Sequence, residues 1–345
     1  MKKPIKILLI VGIVLTLIGG VITAVGFASS KEFPYLYWGE EGRVIQYHSE
    51  GLGTSEQITI DAFSKIDIAT EMGAVEIMEG DHFSIQYINY PKDSLPTYEV
   101  KDGTLSLQYA ISLKGTVMFG EGVSASPKIT VTVPQGTVLS SVNVSADEDI
   151  TVTNLTVDNL ILYSDYSNEV DLQDVNADNS EIHVGSGSLL LKSCVLGESS
   201  LWAEYGDMEI IDCQGSAPWS IDAESGNMEI KNSQLETVTC KVGYGDATME
   251  NIMSQGLDLS MESGNAQISG DLRGNTKIYA EYVGLLLNLV GTEGEYGYEI
   301  EAEYGSITVN GQTIEGTMRS KNDTPDQIEI ISESGDVELS FRQES

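Results

Sequence analysis

Six glutamates, Glu204, Glu224, Glu262, Glu281, Glu303 and Glu333, each stand two residues before a glycine or, for Glu281, before Val283. Two carboxylates a few ångströms apart are what a glycosidase uses as acid and base or nucleophile. A row of them also offers oxygen ligands to a divalent cation. A catalytic group, however, should interrupt a repeated pattern locally, and these glutamates continue one. With 53 acidic residues in 345, close pairs also arise by composition alone. The row lacks the GGxGxDxUx pattern of calcium-binding β-rolls, so it is a weak metal candidate, expected to give only loose ionic screening.

Other chemistries find no support. His48, His82 and His183 have no Cys, Asp or Glu at ligand spacing and sit in no recurring column, which argues against zinc. There is no GxSxG, P-loop or dinucleotide fingerprint, and "GSGSLL" at 185–190 leads into a strand rather than a helix. No catalytic residue and no cofactor is assigned.

The glutamates instead mark a repeat. "AEYGDMEI" at 203–210 returns as "AESGNMEI" at 223–230, and its central glycine recurs as Gly187, Gly206, Gly226, Gly245, Gly264, Gly305 and Gly335. The first four intervals are 19, 20, 19 and 19 residues. A further copy, "AEYVGLLL" at 280–287, puts Val283 in the glycine place, and "NGQTIEGTMRSKNDTPDQ" lengthens the interval before Gly335. A period near 20 residues marks a solenoid.

The columns of this repeat give each side chain a direction. Two and four residues after the glycine stand Met208 and Ile210, Met228 and Ile230, Ala247 and Met249, with Glu209, Glu229 and Thr248 between them. That alternation is a half-buried strand. Five and three residues before the glycine a second strand places Leu201 and Ala203, Ile221 and Ala223, Cys240 and Val242 inward. The glycine is the corner between the strands, where positive φ is needed. Immediately before it Ser186, Tyr205, Ser225, Tyr244, Ser263 and Tyr282 alternate, which is read as giving each phenol room in a partly buried column. Asp207, Asn227, Asp246 and Asn265 alternate after it, halving carboxylate repulsion. Cys194 and Cys213 fall in one column, but parallel Cβ vectors suit a disulfide poorly, so they and Cys240 are read as buried thiols. Upstream, "IDIATEMGAVEI" at 66–77 repeats the inward pattern around Gly73, and Asp102-Gly103 signals a hairpin or a tight turn.

The N-terminus has a different character. Lys2, Lys3 and Lys6 precede an uncharged apolar run from Ile7 to Phe27, and 21 residues at ~1.5 Å each span the ~30 Å bilayer core. A cleaved signal peptide is the competing reading, but its apolar stretch is normally about 7 to 15 residues. The segmentation is therefore a cytoplasmic tail at 1–6, a transmembrane anchor at 7–27 contacting membrane lipid, a polar stalk at 28–57 and an all-β solenoid domain at 58–345. The positive-inside rule holds the lysines in the cytoplasm and puts the C-terminal domain outside. Residues 1–30 carry three of the 18 cations and no acid, so the remainder has 15 cations against 53 acids, a net −38. Nucleic acid and anionic lipid are repelled by such a surface.

The Lys-led anchor, "FSKIDIATEMGAVEI", "DGTLSL", "ITVTVPQG" and the SG[DN]xxI coils together resemble the bacterial membrane-anchored putative-adhesin domains of unknown function. The resemblance covers most of the chain after the anchor and implies a single-stranded, right-handed β-solenoid. The expected role is non-enzymatic: a single-pass surface or adhesion module at the cell membrane whose ligand is a cell-wall polymer or a partner envelope protein. Envelope sensing through a partner membrane protein is the alternative, and a polysaccharide-active β-solenoid enzyme is a second.

Overall fold

The computed structural model describes residues 54–90, 95–109, 127–320 and 322–343, and the backbone alone at 35–39, 44–47, 52–53, 91 and 113–117. The anchor expected at 7–27 lies outside these residues. No helix among the described residues is long and apolar enough to cross a membrane. Two compact units are formed. One contains a three-stranded antiparallel sheet in which Tyr35–Gly39 pairs with Val44–Tyr47 and Leu113–Val117. Two of these strands lie in the segment read as a stalk.

The second unit, Thr54–Ile111 with Ser126–Ser345, is a stack of parallel coils. In one coil Val195–Tyr205 runs to the corner at Gly206, Met208–Ile211 follows, and a second corner at Asp212 leads to Gln214–Gly215. Like residues sit on like residues: Met208 faces Met228, which faces Ala247, and Ile210 faces Ile230, which faces Met249. Every one of these side chains is buried, as are Leu201, Ala203, Ile221, Ala223, Cys240 and Val242 on the preceding strands. The inward columns expected from the period of two are thus the core, and each large side chain in them contributes roughly 1.5 to 3 kcal/mol by leaving water.

Two kinds of corner hold the coil. A Cβ on Gly226, at φ +150°, would stand 2.0 Å from the Gly206 carbonyl oxygen, and one on Gly245 would stand 1.9 Å from that of Gly226. Successive corners are so close that only hydrogen fits between them. Val283 occupies this column too, with its carbonyl under Gly335, and its side chain turns into the core. The second corner was not anticipated. Asn154, Asp174, Ser193, Asp212, Asn232 and Asn251 have φ of 49–55°, a left-handed conformation that Asn and Asp tolerate better than other side-chain-bearing residues. The three cysteines are free and buried. The hydrogen bond with Cys194, and then burial, push the Cys213 thiol up, and burial pushes up that of Cys240.

Spatial order departs from chain order at both ends. Asp326–Ser334 pairs in parallel with 275–282 on one side and with Tyr296–Val309 on the other. Val337–Arg342 likewise lies between 285–290 and 307–309. The last coil in sequence is therefore the penultimate coil in space, inserted beneath 296–309. Gln312–Arg319 folds back antiparallel along the outer edge of Tyr296–Val309 through a turn at Asn310-Gly311. At the other end Lys65–Thr70 lies between Thr104–Tyr109 and Ser141–Ala146, and Ala74–Gly80 between Lys128–Pro134 and Ile150–Thr153. The outer coil there is covered by antiparallel Thr97–Lys101, through the expected hairpin at Asp102-Gly103, and by Ser84–Ile88.

This insertion makes a truncation test specific. A chain ending at residue 320 removes the neighbour of 296–309 as well as its own coil, so limited proteolysis should release 296–320 from the truncated protein and leave it intact in the full chain. Continued protection of 296–309 after truncation would contradict the spatial order.

Candidate functional site

The corner preceding each glycine carries the most regular exposed chemistry. Tyr205 lies between Ser186 and Ser225, Tyr244 between Ser225 and Ser263, and Ser334 between Tyr282 and Tyr304. Tyr166 adds one more ring at the N-terminal side, since Asp165 and Ser167 flanking it hydrogen-bond with the Ser186 backbone. In space the order is Tyr166, Ser186, Tyr205, Ser225, Tyr244, Ser263, Tyr282, Ser334, Tyr304. Alternation holds over nine coils only because the C-terminal coil is inserted. Along the chain, Tyr304 would follow Tyr282 directly.

These rings face solvent. Their exposure runs from 61% at Tyr205 to 75% at Tyr166, which corrects the expectation of a partly buried column. A confined ring could not keep that much of its surface wet, so shortage of room does not explain the serines between them. Coils are ~4.8 Å apart, and rings on alternate coils stand ~9.6 Å apart with an open slot between each pair. The slot between Tyr205 and Tyr244 holds about 470 Å³ above Ser225 and Gly243, with Glu224, Glu262 and Lys241 at its sides. A Cβ on Gly243 would meet the Glu224 carbonyl oxygen at 2.5 Å, so only glycine fits between these coils.

The glutamate column runs one residue further from the corner. Register brings Glu204 beside Glu224. Gly243 then interrupts it, and Glu262, Glu281, Glu333 and Glu303 continue, with Glu333 between Glu281 and Glu303. His183 Nε2 lies 4.0 Å from Glu204 Oε1. Tyr279 donates a hydrogen bond to Glu333, which pushes its phenol up to about 12. Among the described residues no three His, Cys, Asp or Glu side chains converge to hold a metal ion. His183 instead sits between Tyr163, tilted at a ring-centroid distance of 5.7 Å, and Trp202, edge-on at 3.9 Å. His82 is exposed, and His48 lies outside the residues whose side chains are described.

On the far side of the corner the Asp and Asn column is a hydrogen-bond ladder. Asp207 Oδ1 accepts from the Asn227 backbone N–H at 2.8 Å, Asn227 Oδ1 from Asp246 at 3.0 Å and Asp246 Oδ1 from Asn265 at 2.9 Å. Asp336 Oδ1 accepts from the Ser306 N–H and hydroxyl, both at 2.8 Å, and these bonds hold its carboxyl below the usual range. Each rung fixes a corner beside the tyrosine or serine two residues before it.

Stacked parallel coils with the same side chains facing water in every turn define a β-solenoid repeat protein. Residues 63–218 and again 192–340 match the Toastrack DUF4097 family, and the chain belongs to that family. Similar solved structures include a putative adhesin from Bacteroides fragilis, 17% identical, covering 85% of this chain and 98% of its own, with a TM-score of 0.40. Another is a putative adhesin from Parabacteroides distasonis, 12% identical, covering 84% and 98%, with a TM-score of 0.31. A putative cell adhesion protein from Clostridium sporogenes is 12% identical over 84% of this chain and 100% of its own, with a TM-score of 0.18. No curated protein matches the chain.

Two outcomes follow from this geometry. Ser225→Tyr places a third ring between Tyr205 and Tyr244 at an exposed edge, where offset stacking is worth about 0.5 to 1.5 kcal/mol. Its melting temperature should equal or slightly exceed that of the parent, and a fall of more than about 5 °C would show that the column is confined. The second concerns pH. Burial, reinforced by neighbouring acids, raises Asp147, Glu148 and Glu169 above their unfolded values, so their ionisation opposes folding and stability rises as pH falls towards them. Asp336 and Glu295 are lowered by hydrogen bonds, so their contribution is present above the ordinary carboxylate range and is lost as pH falls through their folded values. The melting temperature should therefore rise as pH falls towards the ordinary carboxylate range and drop once the pH falls below that range. A steady decline from pH 8 downward would contradict this assignment.

Proposed function

We propose that the protein is a non-enzymatic adhesion module, held at the cell membrane by residues 7–27 and displaying its solenoid outside the cytoplasm. The observation that carries this reading is the tyrosine edge itself. Catalysis concentrates different groups at one place, whereas here the same groups recur in coil after coil along one line. Such distribution suits a partner met at many weak points, where linked contacts multiply affinity without any single strong site. The net −38 of the part beyond residue 30 directs that contact away from nucleic acid and anionic lipid and towards a wall polymer or an envelope protein. Lys2, Lys3 and Lys6 before the apolar run support a cytoplasmic N-terminus.

Protease added to intact protoplasts should digest the solenoid while membranes retain a fragment bearing the N-terminal lysines. A released protein beginning near Ser29 would overturn the anchor. Crosslinking in cells followed by purification should recover wall polymer or an envelope protein bound along the solenoid, and a stoichiometric kinase or transporter would favour sensing over display.

A further inference from the structure

We propose that the tyrosine edge binds an extended polypeptide segment in polyproline II conformation that carries a basic side chain at every third residue. The proposal deepens the adhesion reading by naming the partner's chemistry and takes from it only that this edge is the contact surface.

Period is the first argument. Tyr166, Tyr205, Tyr244, Tyr282 and Tyr304 occupy alternate coils, a spacing of ~9.6 Å at ~4.8 Å per coil. A polyproline II helix rises ~3.1 Å per residue with three residues per turn, so its equivalent side chains recur every ~9.3 Å. An added β-strand would present same-face side chains every ~6.8 Å and fall out of step after one ring. It would also need free backbone groups, and along this edge the coils already bond to one another. Five rings span ~38 Å, the length of about twelve polyproline II residues.

Charge is the second. The slot between Tyr205 and Tyr244 is lined by three carboxylates, Asp222, Glu224 and Glu262, against one cation, Lys241, and the slot over Ser334 lies beside Glu281, Glu333 and Glu303. A lysine or arginine entering a slot meets a phenol face, which attracts cations, and a carboxylate, which accepts a charge-assisted hydrogen bond. Exposed aromatic rings with grooves between them are a surface on which polyproline II ligands dock, because their backbone is extended before binding. Alternation in space rather than along the chain is the third argument. Tandem duplication would preserve chain order, yet Ser334 separates Tyr282 from Tyr304 only in the folded stack.

The test is a calorimetric titration of the full chain in detergent with a synthetic repeating Lys-Pro-Pro peptide of about fifteen residues, against a Lys-Pro peptide of equal charge, a Gln-Pro-Pro peptide and a neutral β-linked oligosaccharide. The Lys-Pro-Pro peptide should bind about tenfold more tightly than the Lys-Pro peptide, and the Gln-Pro-Pro peptide should not bind. Tyr205→Ser with Tyr244→Ser should weaken binding about tenfold, and Tyr205→Phe with Tyr244→Phe should restore it, since the ring face rather than the hydroxyl holds the cation. Melting curves of both pairs verify that the solenoid is intact. Equal affinity for the two lysine spacings, undiminished binding by the serine pair, or saturable binding of the oligosaccharide in place of the peptide would each overturn the proposal. Because the titration uses purified protein, its result is independent of the protoplast experiment, and either reading can fail without the other.

Discussion

The parallel hydrogen-bond ladder between coils, repeating every ~4.8 Å, is the constraint from which the rest of the solenoid follows. It places each residue directly over its counterpart, so every column must be compatible with copies of itself. Apolar columns satisfy this by burial, as Met208, Met228 and Ala247 do. Polar columns satisfy it by lateral bonding, as the Asp and Asn ladder does through backbone N–H groups. The glycine column satisfies it by having no side chain where the next carbonyl oxygen lies 2.0 Å from the place of a Cβ.

A ladder of this kind leaves unpaired backbone groups at its first and last coil, which are a template for aggregation. Both ends of this solenoid answer in the same way. The outer coil is set out of chain order, with a coil from elsewhere in the sequence beneath it, and antiparallel strands run along its free edge. Gln312–Arg319 is largely exposed and carries Glu315 and Arg319, so the edge it leaves is short and charged. Terminal repeats that differ from the interior are a general need of solenoids, and here the difference lies in chain path as much as in composition.

Much of this was legible in the sequence. A period of two within a period near 20 fixes the inward columns, and the Gly and Asp-Gly turns are specified by the backbone conformations they alone adopt cheaply. The second corner was also written there, as Asn154, Asp174, Asp212, Asn232 and Asn251, but Asn and Asp occur on surfaces for many reasons, and the buried column that follows them, Leu155, Val175, Cys194, Cys213, Ser233 and Ile252, varies too much in type to mark a turn. The insertion of 326–342 was not legible, because the coil at 275–290 can pair equally well with either following coil and the column residues of both are alike. Orientation of the tyrosines was missed for a related reason. A residue beside a corner is rotated out of the strand alternation, so period gives no direction to its side chain.

The acidic column shows what stacking like on like costs. Glu262, Glu281, Glu333 and Glu303 form a run of four coils carrying a carboxylate in one column, and like charges ~4.8 Å apart in water repel by about 1 kcal/mol each. The hydrogen bond from Tyr279 to Glu333 relieves one member of the run. Glutamine would have kept the hydrogen bonding and removed the repulsion, as asparagine does on the opposite side of the same corner at Asn227 and Asn265. The two columns flank one turn, share one spacing and were shaped by the same repetition, yet only the one beside the tyrosines keeps its charge in consecutive coils. A cost retained on one side of a corner and removed on the other is not required by the ladder, and it is the reason for placing the proposed contact surface on the tyrosine and glutamate columns.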